Sequence, residues 1–353
     1  MNIAITRTTN PKPHPEESNL GFGQYFTDHM FLLNFSPGKG WHNARIVPYG
    51  PLELDPATMT LHYAQEIFEG LKAYRGIDGK IRLFRAIENI RRLNRSNERL
   101  CVPLIAESDF MQALTELLHI EESWIPSSPD TSLYIRPFLI ATDPFLGVRP
   151  SDTHLFIIIL SPVGSYYANG ISPTSILVED EDVRAVRGGL GCAKTGANYA
   201  ATIRAQDKAK HKGFTQVLWL DALEQKYVEE IGTSNAFFKI AGTVITPPLN
   251  GSILPGITRM SVLDLLRHWQ NRLEERPISI DEVIDAANRG LLEESFASGT
   301  AAVISPIGSL TYKGKSVEIN EGKIGALSQK LYDTLTGIQW GKLPDPFGWT
   351  THI

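Results

Sequence analysis

Residues 188–200 read GGLGCAKTGANYA, and residues 229–238, behind a strand-like run at 215–221 (TQVLWLD), read EEIGTSNAFF. Lys194 stands in the first stretch among Gly188, Gly189, Gly191, Cys192, Ala193, Gly196 and Ala197, residues with almost no side-chain bulk. Glycine admits positive φ and lets another body approach the backbone closely. A lysine so placed is suited to attack a carbonyl compound or pyridoxal phosphate. Taken alone, the stretch is equally compatible with a glycine-rich surface turn carrying an ordinary solvated lysine. The segments around it bear on the choice.

The 353 residues exceed one ordinary core and point to two domains, at roughly 150 residues per domain. Apolar residues make up 42% and charged residues 21%, which describes an ordinary soluble globular protein. A net charge of -5 supplies no attraction to nucleic acid or anionic membrane. The longest apolar runs, such as LFIIIL at 155–160, have the length of a strand and not of a membrane span. Residues 1–20 are polar and proline-bearing, without the apolar stretch of a signal peptide, so a cytoplasmic location is expected. Cys101 and Cys192 are the only cysteines and the nine histidines form no His-x-x-x-His pair. Neither a disulfide framework nor a metal site is expected.

Residues 161–175 (SPVGSYYANGISPTS) break the apolar run with Gly, Pro and Ser, as an interdomain connection does. The expected organisation is a small α+β domain over 1–163, an interdomain loop over 164–175 and a larger domain over 176–353. Residues 30–35, 71–76, 80–84 and 132–141 read as strands, with helices at 86–100 and 107–119. In the second half, strands at 215–221 and 301–307 alternate with helices, giving α/β and α+β character in one chain. Ser279 and Glu282 form a capping box ahead of a helix that ends at Gly290. A helix at 257–269 follows the turn Leu254–Pro255–Gly256, and its free N–H groups form a candidate anion site.

A pyridoxal phosphate site needs a lysine, a carboxylate for the ring nitrogen, donors for the phosphate and a donor for the ring oxygen; the chain has candidates for all four. With FGQYFTDHM (22–30), IFEGLKAYRG (67–76), SLYIRP (132–137), AKTGANYA (193–200), EEIGTSN (229–235), NGSILPGITR (250–259) and ASGTAAVISP (297–306), the chain resembles the branched-chain amino acid aminotransferases. These belong to the fold type IV pyridoxal phosphate family, and the likeness is nearest to the larger subgroup that includes the animal enzymes and many bacterial ones. It runs through nearly the whole chain in family order. It implies a two-domain fold with the cofactor, pyridoxal 5′-phosphate, at the domain interface, and a homodimer.

The resemblance also implies the site residues. Lys194 is the residue that carries the cofactor and then moves the substrate's proton; an ordinary lysine pKa of about 10.4 must fall for both tasks. Glu230 faces the pyridine nitrogen and keeps it protonated. Its neighbour Glu229 is a decoy, because adjacent strand residues point to opposite faces. Thr233 closes the same motif, and Tyr199 bonds the ring oxygen. Arg92, Ile257, Thr258 and Thr300 hold the phosphate, whereas Arg91, Arg95 and Arg99 form the solvated face of the same helix. Phe22, Phe68, Tyr134 and Tyr166 line the substrate pocket, joined by Tyr63 and Val148 of a second subunit. Thr300 and Ala301 offer N–H groups to the α-carboxylate. Arg136, two residues from Tyr134 and on the same strand face, stands at the pocket mouth. Where the animal enzymes carry a redox Cys-x-x-Cys pair, this chain has Ala302 and Ser305, so thiol regulation at that place is excluded.

The expected activity is reversible ping-pong amino transfer between leucine, isoleucine or valine and 2-oxoglutarate. Within the same fold, a D-amino acid aminotransferase or an aminodeoxychorismate lyase would share the lysine and the glutamate, but these are typically shorter chains without the 67–76 and 132–137 signatures. A regulator that binds the cofactor without chemistry is a further alternative, separated by whether substrate bleaches the bound cofactor. Nucleic acid and membrane are not expected partners.

Overall fold

The computed structural model describes residues 1–164 and 171–353. The chain divides into two units, one of Met1–Tyr166, Ala193–Gly196 and Gly337–Ile353, the other of Tyr167–Cys192 and Ala197–Thr336.

The first unit is a nine-stranded sheet. It comprises β1 (Ala4–Ile5), β2 (His29–Ser36), β3 (Gly40–Pro48), β4 (Glu66–Phe68), β5 (Leu71–Arg75), β6 (Ile81–Phe84), β7 (Ser132–Ala141), β8 (His154–Val163) and the C-terminal strand Thr350–His352. The order is β1-β3-β2-β8-β7-β5-β6 followed by the C-terminal strand, with β4 paired to β7. Helices α1 (Met59–Tyr63), α2 (Ala86–Arg99) and α3 (Glu107–Ile120) complete it. At its centre β7 and β8 run antiparallel in unbroken register from Ser132 opposite Val163 to Ala141 opposite His154.

Strand alternation then decides what each face of this sheet carries. Leu133, Ile135 and Leu139 of β7, Phe156, Ile158 and Leu160 of β8, Phe31 and Leu33 of β2 and Leu71 and Ala73 of β5 share one core with Ile90, Leu93, Phe110 and Leu114 of α2 and α3. Each such side chain, fully buried, contributes about 1.5–3 kcal/mol. The residues between them face the other way. Met30, Leu32, Ile140, Leu155 and Ile157 form a second, smaller cluster there. The same parity puts Glu66, Phe68, Lys72, Tyr134 and Arg136 on that second face, away from the helices.

The second unit also holds a nine-stranded sheet. Its strands are β9 (Thr174–Val178), β10 (Gln216–Leu220), β11 (Val228–Ile231), β12 (Ser234–Ile240), β13 (Thr243–Thr246), β14 (Arg272–Glu275), β15 (Leu292–Gly299), β16 (Val303–Tyr312) and β17 (Lys315–Glu318). The order is β11-β10-β9-β16-β15-β12-β13-β14, with β17 on β16 and β11 also paired to β12. Parallel pairs (β9 with β10 and β16, β13 with β14) mix with antiparallel ones. Helices α4 (Gly196–Ala200), α5 (Ile203–His211), α6 (Ile257–His268), α7 (Ile280–Asn288) and α8 (Ala326–Gln339) accompany it.

The mixed α/β and α+β character is as expected, and two details are not. The strand expected from 301 starts at Val303, because Gly299 pairs with Val303 across the β15–β16 hairpin and the three residues between must turn. Residues 193–196 and 337–353, expected in the second domain, pack with the first unit. The C-terminal strand pairs with β6, and backbone bonds seat 193–196 against β4 and α2.

No helix among the described residues is long and apolar enough to cross a membrane. The N-cap half of the capping box is present: the Ser279 hydroxyl accepts the Glu282 N–H at 3.0 Å, while the Glu282 carboxylate pairs with Arg276, and Gly290 follows the helix at φ 68°. Ser279→Ala is expected to lower stability by about 0.5–2 kcal/mol, and Ser279→Gly by less, measured by denaturant titration.

Candidate active site

The first unit gathers Lys194, Arg92, Phe68, Tyr134, Arg136 and Phe22. Lys194 is fixed through its backbone: its N–H donates to Ser96 Oγ at 2.9 Å, its carbonyl accepts the Phe68 N–H at 3.0 Å, and the Gly196 N–H donates to Glu66. A Cβ on residue 196 would meet the Glu66 carboxylate, which would have to swing away from the Gly196 N–H. With the backbone held, Lys194 Nζ lies over the Phe68 ring, 4.7 Å from its centre.

Burial is the largest influence on this amine and lowers its pKa to about 8; Arg92 and Arg136 lower it, while Glu69 and Tyr134 act the other way. Glu69 is wholly buried and accepts Arg92 Nε at 2.7 Å, Arg92 Nη2 at 2.8 Å, Asn89 Nδ2 at 2.7 Å and its neighbour Gly70 N–H. Burial alone would raise its pKa, yet the Arg92 guanidinium, aided by Lys194 and Asn89, holds it below the usual carboxylate range. A carboxylate without water is tolerated only when donors surround it in this way. Arg92 is thus buried and paired, whereas Arg91 is exposed and pairs with Glu88 and Glu107, and Arg95 and Arg99 are exposed. The helix divides its arginines as expected.

On the same sheet face Arg136 Nη2 donates to the Tyr134 hydroxyl at 3.1 Å, and the guanidinium lies over the Phe68 ring at 4.8 Å. Arg136 Nε is buried without a hydrogen-bond partner. Phe22 meets Tyr134 edge-on at 5.0 Å. The Tyr134 hydroxyl occupies the space where residue 70 would carry a Cβ, which is why Gly70 has none. Lys72, opposite Tyr134 across the β5–β7 pair, is buried and its pKa falls to about 8 from burial. Tyr63 and Val148 are both exposed, and the Tyr63 hydroxyl donates to the Leu146 carbonyl beside Val148. Tyr166 lies outside the described residues.

The second unit gathers the other candidates. Glu230 in β11 accepts the Leu254 N–H at 2.8 Å and lies opposite Asn235, which donates to the Leu254 carbonyl at 3.0 Å. These bonds tie Glu230 to the turn ahead of α6, where Ile257 and Thr258 form the buried first turn. A Cβ on residue 256 would strike Asn235 Oδ1 and push that side chain from its place at the helix entry. Asn235 also pairs with Ser298 of β15, close to the partly buried Thr300 and Ala301 in the following turn. Thr233 sits in the β11–β12 turn, exposed, and Tyr199 is partly buried on α4. Glu229, the neighbour set aside because it leaves the strand on the other side, is itself buried and accepts the Ser252 hydroxyl.

Sequence reasoning passed over Glu69, Ser96, Glu66 and Arg184. A signal existed for two of them: Glu69 lies inside the 67–76 signature, and Ser96 stands one helical turn after Arg92. Among the described residues no group of three or more His, Cys, Asp or Glu is arranged to hold a metal ion.

Residues 66–310 match the family model of class IV amino-transferases. The chain is 55% identical to Branched-chain-amino-acid aminotransferase 2 of Bacillus subtilis, over 99% of this chain and 97% of that protein. It is 44% identical to a Mycobacterium tuberculosis branched-chain-amino-acid aminotransferase, over 100% and 98%. The crystal structure of the Escherichia coli branched-chain amino acid aminotransferase superposes with a TM-score of 0.77 at 26% identity, covering 92% of this chain and 98% of that one.

In cofactor-free protein, labelling of Lys194 by an amine-directed aldehyde should rise with pH through a midpoint of about 8, because only the neutral amine attacks. Glu69→Gln removes a charge that favours the ammonium and should move that midpoint down; Arg92→Met should move it up. Mass-spectrometric labelling against pH reads both directions.

Proposed function

The chain belongs to the class IV amino-transferases, among the branched-chain-amino-acid aminotransferases, and on that premise we propose that it exchanges amino groups between leucine, isoleucine or valine and 2-oxoglutarate. The observation that carries the reading is Lys194, an amine held by its backbone and poised near neutral pH beside a buried Glu69–Arg92 pair. The residues present fit pyridoxal 5′-phosphate: a nucleophilic lysine, a bonded carboxylate at Glu230, and donors at Arg92 and at the α6 N-terminus. When bound, that cofactor supplies an aldehyde and an electron-accepting ring.

Lys194 Nζ then has two tasks. It would hold the cofactor covalently, and as a free neutral amine it would take the proton from the substrate Cα. Its lowered pKa serves both, since an ammonium does neither. Glu230 would accept a hydrogen bond from the ring nitrogen and favour its protonated form. Tyr199 would donate to the ring oxygen, and Arg92, Thr233, Thr258, Thr300 and the Ile257 N–H would be the donors offered to the phosphate. The Thr300 and Ala301 N–H groups take the substrate α-carboxylate.

The side-chain pocket in this reading is the apolar face of Phe22, Phe68 and Tyr134. Tyr63 and Val148, exposed beside Leu61, Phe145 and Leu146, complete the pocket of a second copy in a cytoplasmic homodimer. Such a pocket separates substrates differing by one methylene by only about 1–3 kcal/mol, so all three branched amino acids enter. Glutamate must enter as well, and its side-chain carboxylate needs a donor. Arg136 has one in its unpartnered Nε.

Two outcomes test the proposal. Lys194→Ala should keep the fold yet lose the visible band of covalently held cofactor and at least about 10³-fold in turnover; a mutant spectrum like that of wild type places the covalent link elsewhere. Arg136→Met should raise KM for glutamate and 2-oxoglutarate about tenfold or more while changing KM for leucine little, by the strength of hydrogen bonds to charged groups. Aspartate, one methylene shorter, should be a poor donor. Equal losses for glutamate and leucine would reduce Arg136 to a structural residue.

A further inference from the structure

Arg184 is a buried cation, 7% exposed, in the loop after β9, and no step above uses it. Its Nη2 donates to the Ser252 carbonyl, and its Nε lies 3.3 Å from Glu230 Oε2. The other Glu230 oxygen accepts the Leu254 N–H. The segment 252–254 therefore grips the arginine and the carboxylate together. Gly191 passes so close to the Ser252 backbone that a Cβ would collide with it, which leaves that segment little room to shift.

A second carboxyl shares the network. Glu229 accepts the Ser252 hydroxyl, its other oxygen is buried without a hydrogen-bond partner, and burial raises its pKa. One arginine beside two buried carboxyls balances one negative charge. Glu229 is the carboxyl whose surroundings favour the neutral form, and the Arg184 charge goes to Glu230. The two adjacent glutamates thus divide: Glu229 anchors Ser252, which accepts from Arg184, and Arg184 pairs with Glu230.

We propose that Arg184 is a positioning residue which keeps Glu230 ionised and aimed, and through it keeps the cofactor's ring nitrogen protonated. This rests on the reading that Glu230 meets that nitrogen. A carboxylate that depended on the bound ring alone for its counter-charge would be free to take the ring's proton. With Arg184 in place, Glu230 has a partner before the cofactor arrives and remains the weaker base after it has bound.

The test uses cofactor-free full-length protein titrated with pyridoxal 5′-phosphate and with its 1-deaza analogue, in which a C–H replaces the ring nitrogen, followed by tryptophan fluorescence. Wild type should prefer the natural cofactor. In Arg184→Met that preference should narrow about tenfold, about 1.4 kcal/mol, and Arg184→Lys should recover part of it. With ring-¹⁵N cofactor bound, the nitrogen shift of Arg184→Met should move toward that of a neutral pyridine. An unchanged or widened preference, or equal weakening of both ligands, overturns the proposal and leaves Arg184 a prop for its loop. Should Arg184→Met not fold, Arg184→Lys carries the test, with a smaller narrowing expected and none overturning it. Glu230→Gln is the control. If it leaves the preference as in wild type, the placement of Glu230 fails by itself; if it narrows the preference and neither arginine variant does, only the present inference fails.

Discussion

Glu69 is the point on which the first unit's chemistry turns. It is a carboxylate without water, and it stays charged because Arg92, Asn89 and the Gly70 N–H supply the donors that water would have given. In return it fixes the guanidinium midway along α2 and offsets part of that charge where Lys194 feels it. Removing one partner from such a pair typically costs 3–5 kcal/mol, because the other is left buried and uncompensated. The Lys194 amine is therefore tuned by a pair that also holds a helix to a sheet, and function and stability are not separable at that place.

Alternation supplies the rest of the geometry. β7 sends Leu133, Ile135 and Leu139 to the helices, so Tyr134 and Arg136 must face the other way. β4 does the same with Ile67, leaving Glu66 and Phe68 on that side, and β5 with Leu71 and Ala73, leaving Lys72. A slip of one residue in any of these registers would bury the polar set against α2 and α3 and turn the apolar set outward. The core thereby enforces the orientation of the site residues, and no separate device is needed to aim them.

Much of this was legible in the chain. Helices α2, α3 and α6 fall within a residue of where periodicity and the turn at 254–256 put them, since amphipathic spacing is local information. The Arg91–Arg92 split was legible too, because neighbouring positions on a helix face different directions. For Glu229 the alternation rule says which side of the strand it leaves from but not what waits there, and Ser252 waits on that side. Arg184 and Ser96 were invisible because their partners are 46 and 98 positions away, at Glu230 and Lys194. The start of β16 was misplaced by two residues because a hairpin turn made of Thr300, Ala301 and Ala302 lacks the Gly, Pro or Asn that normally marks one.

The strand Thr350–His352 pairs with β6, the edge of a sheet whose other strands all precede residue 164. During synthesis, every residue of the second unit's sheet leaves the ribosome before that edge is covered. The first unit is thus begun first and finished last, its β6 hydrogen-bonding groups open while more than half of the chain is made. An open edge of that kind is a template for pairing with other strands. The early half of this protein has a built-in waiting period in which chaperones, or the charges of Arg82 and Arg85 along and beside that edge, must keep it from nascent neighbours on the same message.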